Sequence, residues 1–352
     1  MLKVEKHSII LSPTEREFEN KAVINPGIFQ DGDTLHFLYR AVQEEGLSSI
    51  GYAKTDNPLK IAERMEQSLL SREYDFEQYG LEDAKIVKIE NTYYITYIAY
   101  DGMNKTGALA TSKDLIHFEK HGIITPRISY HDYECLINLH KKNLNPKYHT
   151  FYNLFTEIGL ENDPIRFLRF RALVLFPRKI NGKFALLISI YPGIQIVYFD
   201  AFTDLTEAFW ENYFDNLIDS IVMDPKDSYE VNYIGIGCVP IETNEGWLLI
   251  YYGVQETITG VKNHVKAALL DLENPKMILS RLNIPLFSPK KLLKEKTHLI
   301  DVVFPTGHAL LGNTLYIYYG MANKFIAVAS LDINELLLEL RNEKNNIVAE
   351  KS

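Results

Sequence analysis

Gly80-Leu81-Glu82-Asp83-Ala84-Lys85-Ile86-Val87-Lys88 runs directly into the alternating apolar stretch that ends at Tyr100. Glu82, Asp83 and Lys85 crowd two carboxylates and an ammonium into four positions. The apolar run is interrupted at Glu90-Asn91 and resumes as Tyr93–Ala99, then Ala108–Ser112. A turn followed by period-two alternation is the signature of a hairpin. A charge cluster at the mouth of such a hairpin points to a site at the end of a sheet.

The same phrase recurs along the chain. Asp31-Gly32-Asp33 introduces Leu35–Arg40 and Ile50–Thr55. Asn181-Gly182 introduces Lys183–Ile188 and Ile194–Asp200. Asn244-Glu245-Gly246 introduces Trp247–Tyr252 and Val265–Asp271, and Gly312-Asn313 introduces Leu315–Tyr319 and Ile326–Leu331. Turn-to-turn steps of roughly 60, 90, 63 and 68 residues match the scale of propeller blades carrying insertions. The expected fold is therefore all-β: a five-bladed β-propeller of four-stranded sheets, one domain over residues 1–352. The long step places an insertion between blades two and three, at about residues 128–170, where His, Asn and Tyr replace alternation. That insertion is expected to overhang the channel. A C-terminal helix is expected over about 332–343, capped by Asp332 or Asn334, with Leu336, Leu337 and Leu340 as its apolar stripe.

Composition narrows the function. The chain has 352 residues, 46% hydrophobic, with 22 Tyr and 18 Phe and a formal net charge of -9. An acidic balance argues against nucleic acid or an anionic membrane as partner, and no apolar run reaches membrane-span length. Cys135 and Cys238 are too few for a disulfide framework or a zinc site and read as free thiols of a reducing compartment. The N-terminus shows no apolar signal segment, so a cytoplasmic location is expected. No metal ion or organic cofactor is expected, because no ligand-spaced His/Cys set or phosphate-cradling Gly motif is present. Homo-oligomerisation is left open.

In a propeller, strand ends near the axis deliver side chains to one central pocket. Arg40 closes the apolar strand Phe37-Leu38-Tyr39, and Glu82 and Asp83 open the second blade. Arg171 precedes Ala172–Pro177, and Glu230 precedes Tyr233–Gly237. Asp301 and His308 flank Val302–Gly307, while Asn323 follows Tyr318-Tyr319-Gly320. Each alone reads as a satisfied or surface polar group; their recurrence in all five blades favours a shared pocket. Carboxylates, Arg, Asn and Tyr together suit a sugar, and glycoside cleavage uses a pair of carboxyl groups.

These residues carry a resemblance. Asn25-Pro26, Leu38-Tyr39-Arg40-Ala41, Ser49-Ile50-Gly51-Tyr52-Ala53 and Gly80-Leu81-Glu82-Asp83-Ala84-Lys85 match phrases of a known family. So do Leu175-Phe176-Pro177, Ile234-Gly235-Ile236-Gly237, Gly246–Gly253, Leu269–Pro275 and Tyr318-Tyr319-Gly320, in family order from Asn25 to Leu331. The chain resembles the five-bladed propeller enzymes that comprise β-mannoside phosphorylases and β-mannosidases. The resemblance implies an inverting mechanism with Asp83 as general acid, acting in the phosphorylases through a substrate hydroxyl. It also places Asn25 and Arg40 in the sugar pocket, and carries Glu82 and Lys85 with Asp83 as substrate-binding positions.

Departures from the family pattern shape the functional expectation. Leu168-Arg169-Phe170-Arg171-Ala172 stands where a more basic phrase is usual, and Ser189 where the family has Arg. Tyr252 replaces a His and Asn323 an Asp. Loss of about three phosphate donors leaves water as the expected nucleophile, hence an inverting hydrolase acting on short β-manno-oligosaccharides. Water then needs a carboxylate base, with Glu230 first and Glu256 second. The alternatives are a β-mannoside phosphorylase that uses inorganic phosphate and releases mannose 1-phosphate, and a non-catalytic sugar-binding propeller.

Overall fold

The computed structural model describes residues 2–138, 144–149, 166–257, 260–289 and 302–351, with side chains as far as 344. Strands dominate. The chain begins with β1 (Glu5–Leu11), then β2 (Ala22–Asp31), β3 (Thr34–Val42), β4 (Ser48–Thr55) and β5 (Glu63–Arg64). The stretch that opens the sequence reading follows as β6 (Gly80–Ile89), β7 (Thr92–Tyr100), β8 (Lys105–Ser112) and β9 (Phe118–Ile123). Helix α1 (Tyr130–Asn138) precedes β10 (Leu173–Leu175), β11 (Phe184–Ile188) and β12 (Ile194–Phe199). Helix α2 (Glu207–Asp215) separates these from β13 (Ile221–Met223). Then come β14 (Tyr233–Ile236), β15 (Ile241–Thr243), β16 (Gly246–Thr257), β17 (Gly260–Leu270) and β18 (Ile278–Arg281). The chain closes with β19 (Val303–Leu311), β20 (Thr314–Met321), β21 (Phe325–Asp332) and α3 (Ile333–Lys351).

Every two-strand phrase read from the sequence forms the middle pair of an antiparallel sheet: β3/β4, β7/β8, β11/β12, β16/β17 and β20/β21. Their turns supply the required backbone, with φ of 59° at Gly32, 56° at Glu90, 81° at Gly182 and 58° at Gly312. Strands β2–β9 belong to one eight-stranded sheet, whose halves β2–β5 and β6–β9 are joined at a single parallel pair, Ser48 with Gly80. Two further sheets have four strands and one has five. N-terminal β1 pairs with β21, so both ends of the chain share a sheet.

Aromatic pairs join the two halves of the eight-stranded sheet and each sheet to its neighbour. Phe29 meets Tyr93 at 5.1 Å, Tyr94 meets Phe184 at 5.6 Å, and Phe176 meets Trp247 at 5.0 Å. Phe287 meets Tyr319 at 5.4 Å, and Phe37 meets Tyr318 at 4.9 Å. Such edge-on contacts add about 0.5–1.5 kcal/mol each beyond area burial. Strands β19, β2 and β6 approach closely. A Cβ on Gly27 of β2 would lie 2.4 Å from the Ala84 carbonyl oxygen of β6, and one on Gly307 of β19 would lie 2.3 Å from Ile28. Glycine at these two positions is what lets β19, β2 and β6 sit side by side.

The C-terminal helix forms where expected and runs further. Asp332 accepts hydrogen bonds from the amides of Asn334 and Glu335 at 2.8 and 3.0 Å, and Leu336, Leu337 and Leu340 are buried against β18 and β21. Within residues 128–170, α1 packs on α2, with Tyr133 and Phe214 in edge contact at 5.5 Å. The α2 segment was not anticipated. Its aromatics suggest strand, but Thr206 caps it, and Trp210, Tyr213 and Phe214 fall on one buried helical face.

Candidate active site

One local device builds the site, and it begins with a buried glutamate. Single 3-10 turns at Glu17–Glu19, Asp75–Glu77 and Ser228–Glu230 each end in a carboxylate with no exposure. Each accepts a hydrogen bond from a tyrosine on the sheet's second strand: Tyr39 to Glu19 at 2.7 Å, Tyr97 to Glu77 at 2.6 Å, Tyr251 to Glu230 at 2.8 Å. Each is also paired with a cation from the outer strand, Arg64, Lys120 and Arg281 respectively. Six residues after each glutamate, the inner strand presents Asn25, Asp83 and Ile236 to one central cavity.

At two of these places the strand is bulged. The ladder slips between Ile24 and Gly27 in β2 and between Glu82 and Lys85 in β6. Asn25 and Asp83 take φ of 50° and 51°, a left-handed backbone that costs energy for a side-chain-bearing residue. The bulge turns both side chains inward, where Asn25 Nδ2 donates to Asp83 Oδ1 at 2.8 Å.

The cavity measures about 280 Å³. Asp83, Asn25, Arg40, Glu82, Lys85, Arg171, Tyr252 and Asn323 all line it. Glu82 is held by Arg40 Nη2 at 2.7 Å and by Lys105. Lys85 is buried and donates to the Thr306 carbonyl at 2.7 Å. Burial lowers its pKa to about 8, partly offset by Cys238 and Asp83. Arg171 lies 4.2 Å over the Tyr233 ring, and Tyr252 packs edge-on against Phe304 at 5.3 Å. Burial drives the Tyr252 hydroxyl pKa up, so it stays protonated. Arg40 Nε and Thr306 Oγ1 are buried without hydrogen-bond partners among the described residues, which marks the wall as made for a polar ligand.

Four expected residues fall elsewhere. Glu230 does not line the cavity: it is fully buried, and Arg281, Lys266 and Tyr251 enclose it as the anchor of the sheet β14–β18. Glu256 is exposed, because β16 continues to Thr257 and carries it out along the hairpin. His308 lies further along β19, outside the cavity wall, where burial and nearby Lys85 lower its pKa to about 4. Asp301 lies outside the described residues.

Lys105 and Arg169 were missed as cavity residues. Arg169 had a readable signal. It stands two residues before Arg171 in Arg169-Phe170-Arg171, and all three residues line the cavity. Lys105 is the first residue of β8 and pairs with Tyr100, opposite the mouth of β6. With these two, the cavity wall holds five cations, Arg40, Lys85, Lys105, Arg169 and Arg171, against two carboxylates among the described residues.

A family model described as β-1,4-mannooligosaccharide phosphorylase matches residues 7–342. The chain belongs to glycoside hydrolase family 130. A 1,2-β-oligomannan phosphorylase from Thermoanaerobacter sp. (strain X514) is 29% identical over 349 residues, 96% of this chain and 99% of the relative. A β-1,2-mannobiose phosphorylase from the same strain is 29% identical over 341 residues, covering 92% and 94%. The solved β-1,2-mannobiose phosphorylase from Listeria innocua, in complex with β-1,2-mannobiose, superposes with a TM-score of 0.69. It is 22% identical and covers 97% of this chain and 100% of its own, so the two proteins share a fold. The chain is an enzyme of glycoside cleavage, a glycosidase or a related glycoside phosphorylase.

Proposed function

We propose that this protein is an inverting β-mannoside phosphorylase acting on short β-1,2-linked manno-oligosaccharides, with inorganic phosphate as nucleophile. The observation that carries this is charge. Five cations against two carboxylates give the cavity wall a formal excess of three positive charges, in a chain whose net charge is -9. A neutral sugar and water need no such excess, whereas a phosphate dianion requires several fixed cationic donors. Phosphorolysis also removes the need for a base. The described carboxylates of the wall are Asp83 and Glu82, and Glu82 is occupied by Arg40 and Lys105. Names of the most similar relatives point the same way. The preference for water drawn from the sequence is therefore replaced by its alternative.

In this mechanism Asp83 supplies a proton to the glycosidic oxygen, directly or through a sugar hydroxyl. The bond from C1 to that oxygen breaks. A phosphate oxygen, steered by Arg169 and Arg171, forms the new bond to C1 from the opposite face, giving α-mannose 1-phosphate and a shortened oligosaccharide. The fold reading that fits is a five-bladed propeller. Dividing the eight-stranded sheet at its one parallel pair gives five units of similar topology, each opened by an inner strand.

Incubation with β-1,2-mannobiose, with and without phosphate, tests the proposal. Mannose 1-phosphate formed in strict dependence on phosphate is expected. Free mannose released without phosphate would replace phosphorolysis with hydrolysis, and binding without turnover would leave a sugar-binding propeller.

A further inference from the structure

A second concavity of about 450 Å³ opens beside the cavity, between β4 and the turn that precedes β6. Its wall mixes hydroxyls and amides, from four serines, Gln43 and Gln78, with the charges of Arg72, Glu73 and Asp75, a formal -1 where the cavity carries an excess of three positive charges. The two spaces nearly touch. Ser48 Oγ donates to the Leu81 carbonyl at 3.1 Å, and the next residue, Glu82, is already in the cavity wall.

Two tyrosines adjoin this seam: Tyr79 follows Gln78 of the cleft and its carbonyl accepts from the Ser48 amide at 3.1 Å, and Tyr100 lies beneath Lys105 of the cavity. Tyr79 is 49% exposed. Its ring rests on the Gly102 backbone, where an added Cβ would lie 2.5 Å from the ring, and Gly102 itself has φ of 99°. Tyr100 donates from Oη to the Gly102 carbonyl at 2.8 Å, and its ring lies 5.9 Å from Tyr79. Lys105, one of the cavity cations, sits 5.1 Å over the Tyr100 ring. One glycine turn thus fixes two aromatic rings, tilted by 57° to one another, next to Lys105 of the cavity and Gln78 of the cleft. A large apolar face held rigid in water has already lost the freedom that binding would cost it. Aromatic faces beside serine hydroxyls, glutamine amides and the hydrogen-bonding charges of Arg72, Glu73 and Asp75 match the alternating C–H faces and hydroxyls of a sugar chain.

We propose that Tyr79 and Tyr100 form a stacking shelf that guides the distal units of a manno-oligosaccharide from the cavity into the serine-lined cleft. The shelf sets a preference for chains longer than a disaccharide. This rests on the reading of the cavity as the site of mannoside cleavage.

The test compares wild type, Tyr79→Ala and Tyr79→Trp on β-1,2-manno-oligosaccharides of increasing length from the disaccharide. Both phosphorolysis and calorimetric affinity are measured. In wild type, kcat/KM and affinity should rise with length. Tyr79→Ala should cut the ratio of long-chain to disaccharide values by about ten-fold, the worth of one aromatic contact, and Tyr79→Trp should keep it. No length dependence in wild type, or an unchanged ratio in Tyr79→Ala, would overturn the shelf. If no length yields mannose 1-phosphate, the functional reading fails. Calorimetry on the same sugars then decides the shelf by itself: length-dependent affinity lost in Tyr79→Ala supports it, and length-independent affinity overturns it.

Discussion

Glu82-Asp83 and Tyr229-Glu230 look alike in the sequence, acidic residues poised at the start of an inner strand, yet the fold puts them to opposite uses. Asp83 faces the cavity on a bulged strand and receives a hydrogen bond from a neutral amide. Glu230 is sealed among Arg281, Lys266 and Tyr251. Their counterparts tell the two positions apart: Glu230 matches Glu19 and Glu77, whereas Asp83 matches Asn25. A carboxylate at the anchor position holds the sheet together, and a group six residues later meets the ligand. Acidity alone does not distinguish the two; place within the repeated unit does.

Substitution at each position should break the likeness cleanly. Asp83→Asn should lower phosphorolysis of an oligomannoside by about 10²–10⁴, the usual worth of a positioned acid, with the thermal midpoint unchanged. Equal losses of activity and stability would make Asp83 a structural group. Glu230→Gln should do the reverse. Arg281 would lose its carboxylate partner and Lys266 would keep only Asp227, destabilising the fold by about 3–5 kcal/mol in denaturant titration, while the folded enzyme keeps its kcat. A stable but inactive Glu230→Gln would restore Glu230 as the base and overturn the distinction.

The strands were legible because each alternates in period two and begins after a turn residue that accepts φ > 0, as at Gly32, Gly182 and Gly312. The convergence of Asn25, Arg40, Asp83, Arg171 and Asn323 was legible for the same reason, since equivalent positions share one end of each sheet. The anchor role of Glu230 was hidden because its partners, Tyr251, Lys266 and Arg281, are 21, 36 and 51 residues away and charge pairing carries no sequence period. The aromatic-glutamate pairs Phe18-Glu19, Phe76-Glu77 and Tyr229-Glu230 were the available clue. Counting missing family cations underestimated the cavity's charge for a related reason. Lys105 arrives from a strand edge with no motif of its own, and Arg169 sits one step back from the residue that drew notice.

The cation excess of the cavity, set against the formal charge of -1 in the cleft beside it, is sharpened by Arg171. Arg171→Met should raise KM for phosphate by about 10–100-fold, as expected for loss of a hydrogen-bonding partner to a charged ligand, with little change in KM for the mannoside. A rise confined to the sugar KM would move Arg171, stacked on Tyr233, to the sugar side of the cavity.

Lys85 gives the smallest effect and the most discriminating one, because its two consequences run in opposite directions. Burial takes its pKa from 10.5 to about 8. Above pH 8 the native enzyme loses this proton, and the formal excess in the cavity wall falls from three to two. KM for phosphate should therefore rise by up to about ten-fold between pH 7 and 9, the limit for one titrating group one unit past its pKa. Lys85→Arg, charged throughout this range, should flatten the rise. Stability should move the other way. Between about 8 and 10.5 the unfolded chain binds more protons at this residue than the native one, so the contribution of Lys85 to stability increases with pH. Comparing wild type with Lys85→Met isolates that contribution, since the remaining groups are common to both. A phosphate KM that rises while the Lys85-dependent stability also rises would assign the loss to the charge of the cavity. If the KM rise instead tracks a loss of stability in the same window and persists in Lys85→Arg, the alkaline effect is loosening of the fold, and Lys85 leaves the phosphate site.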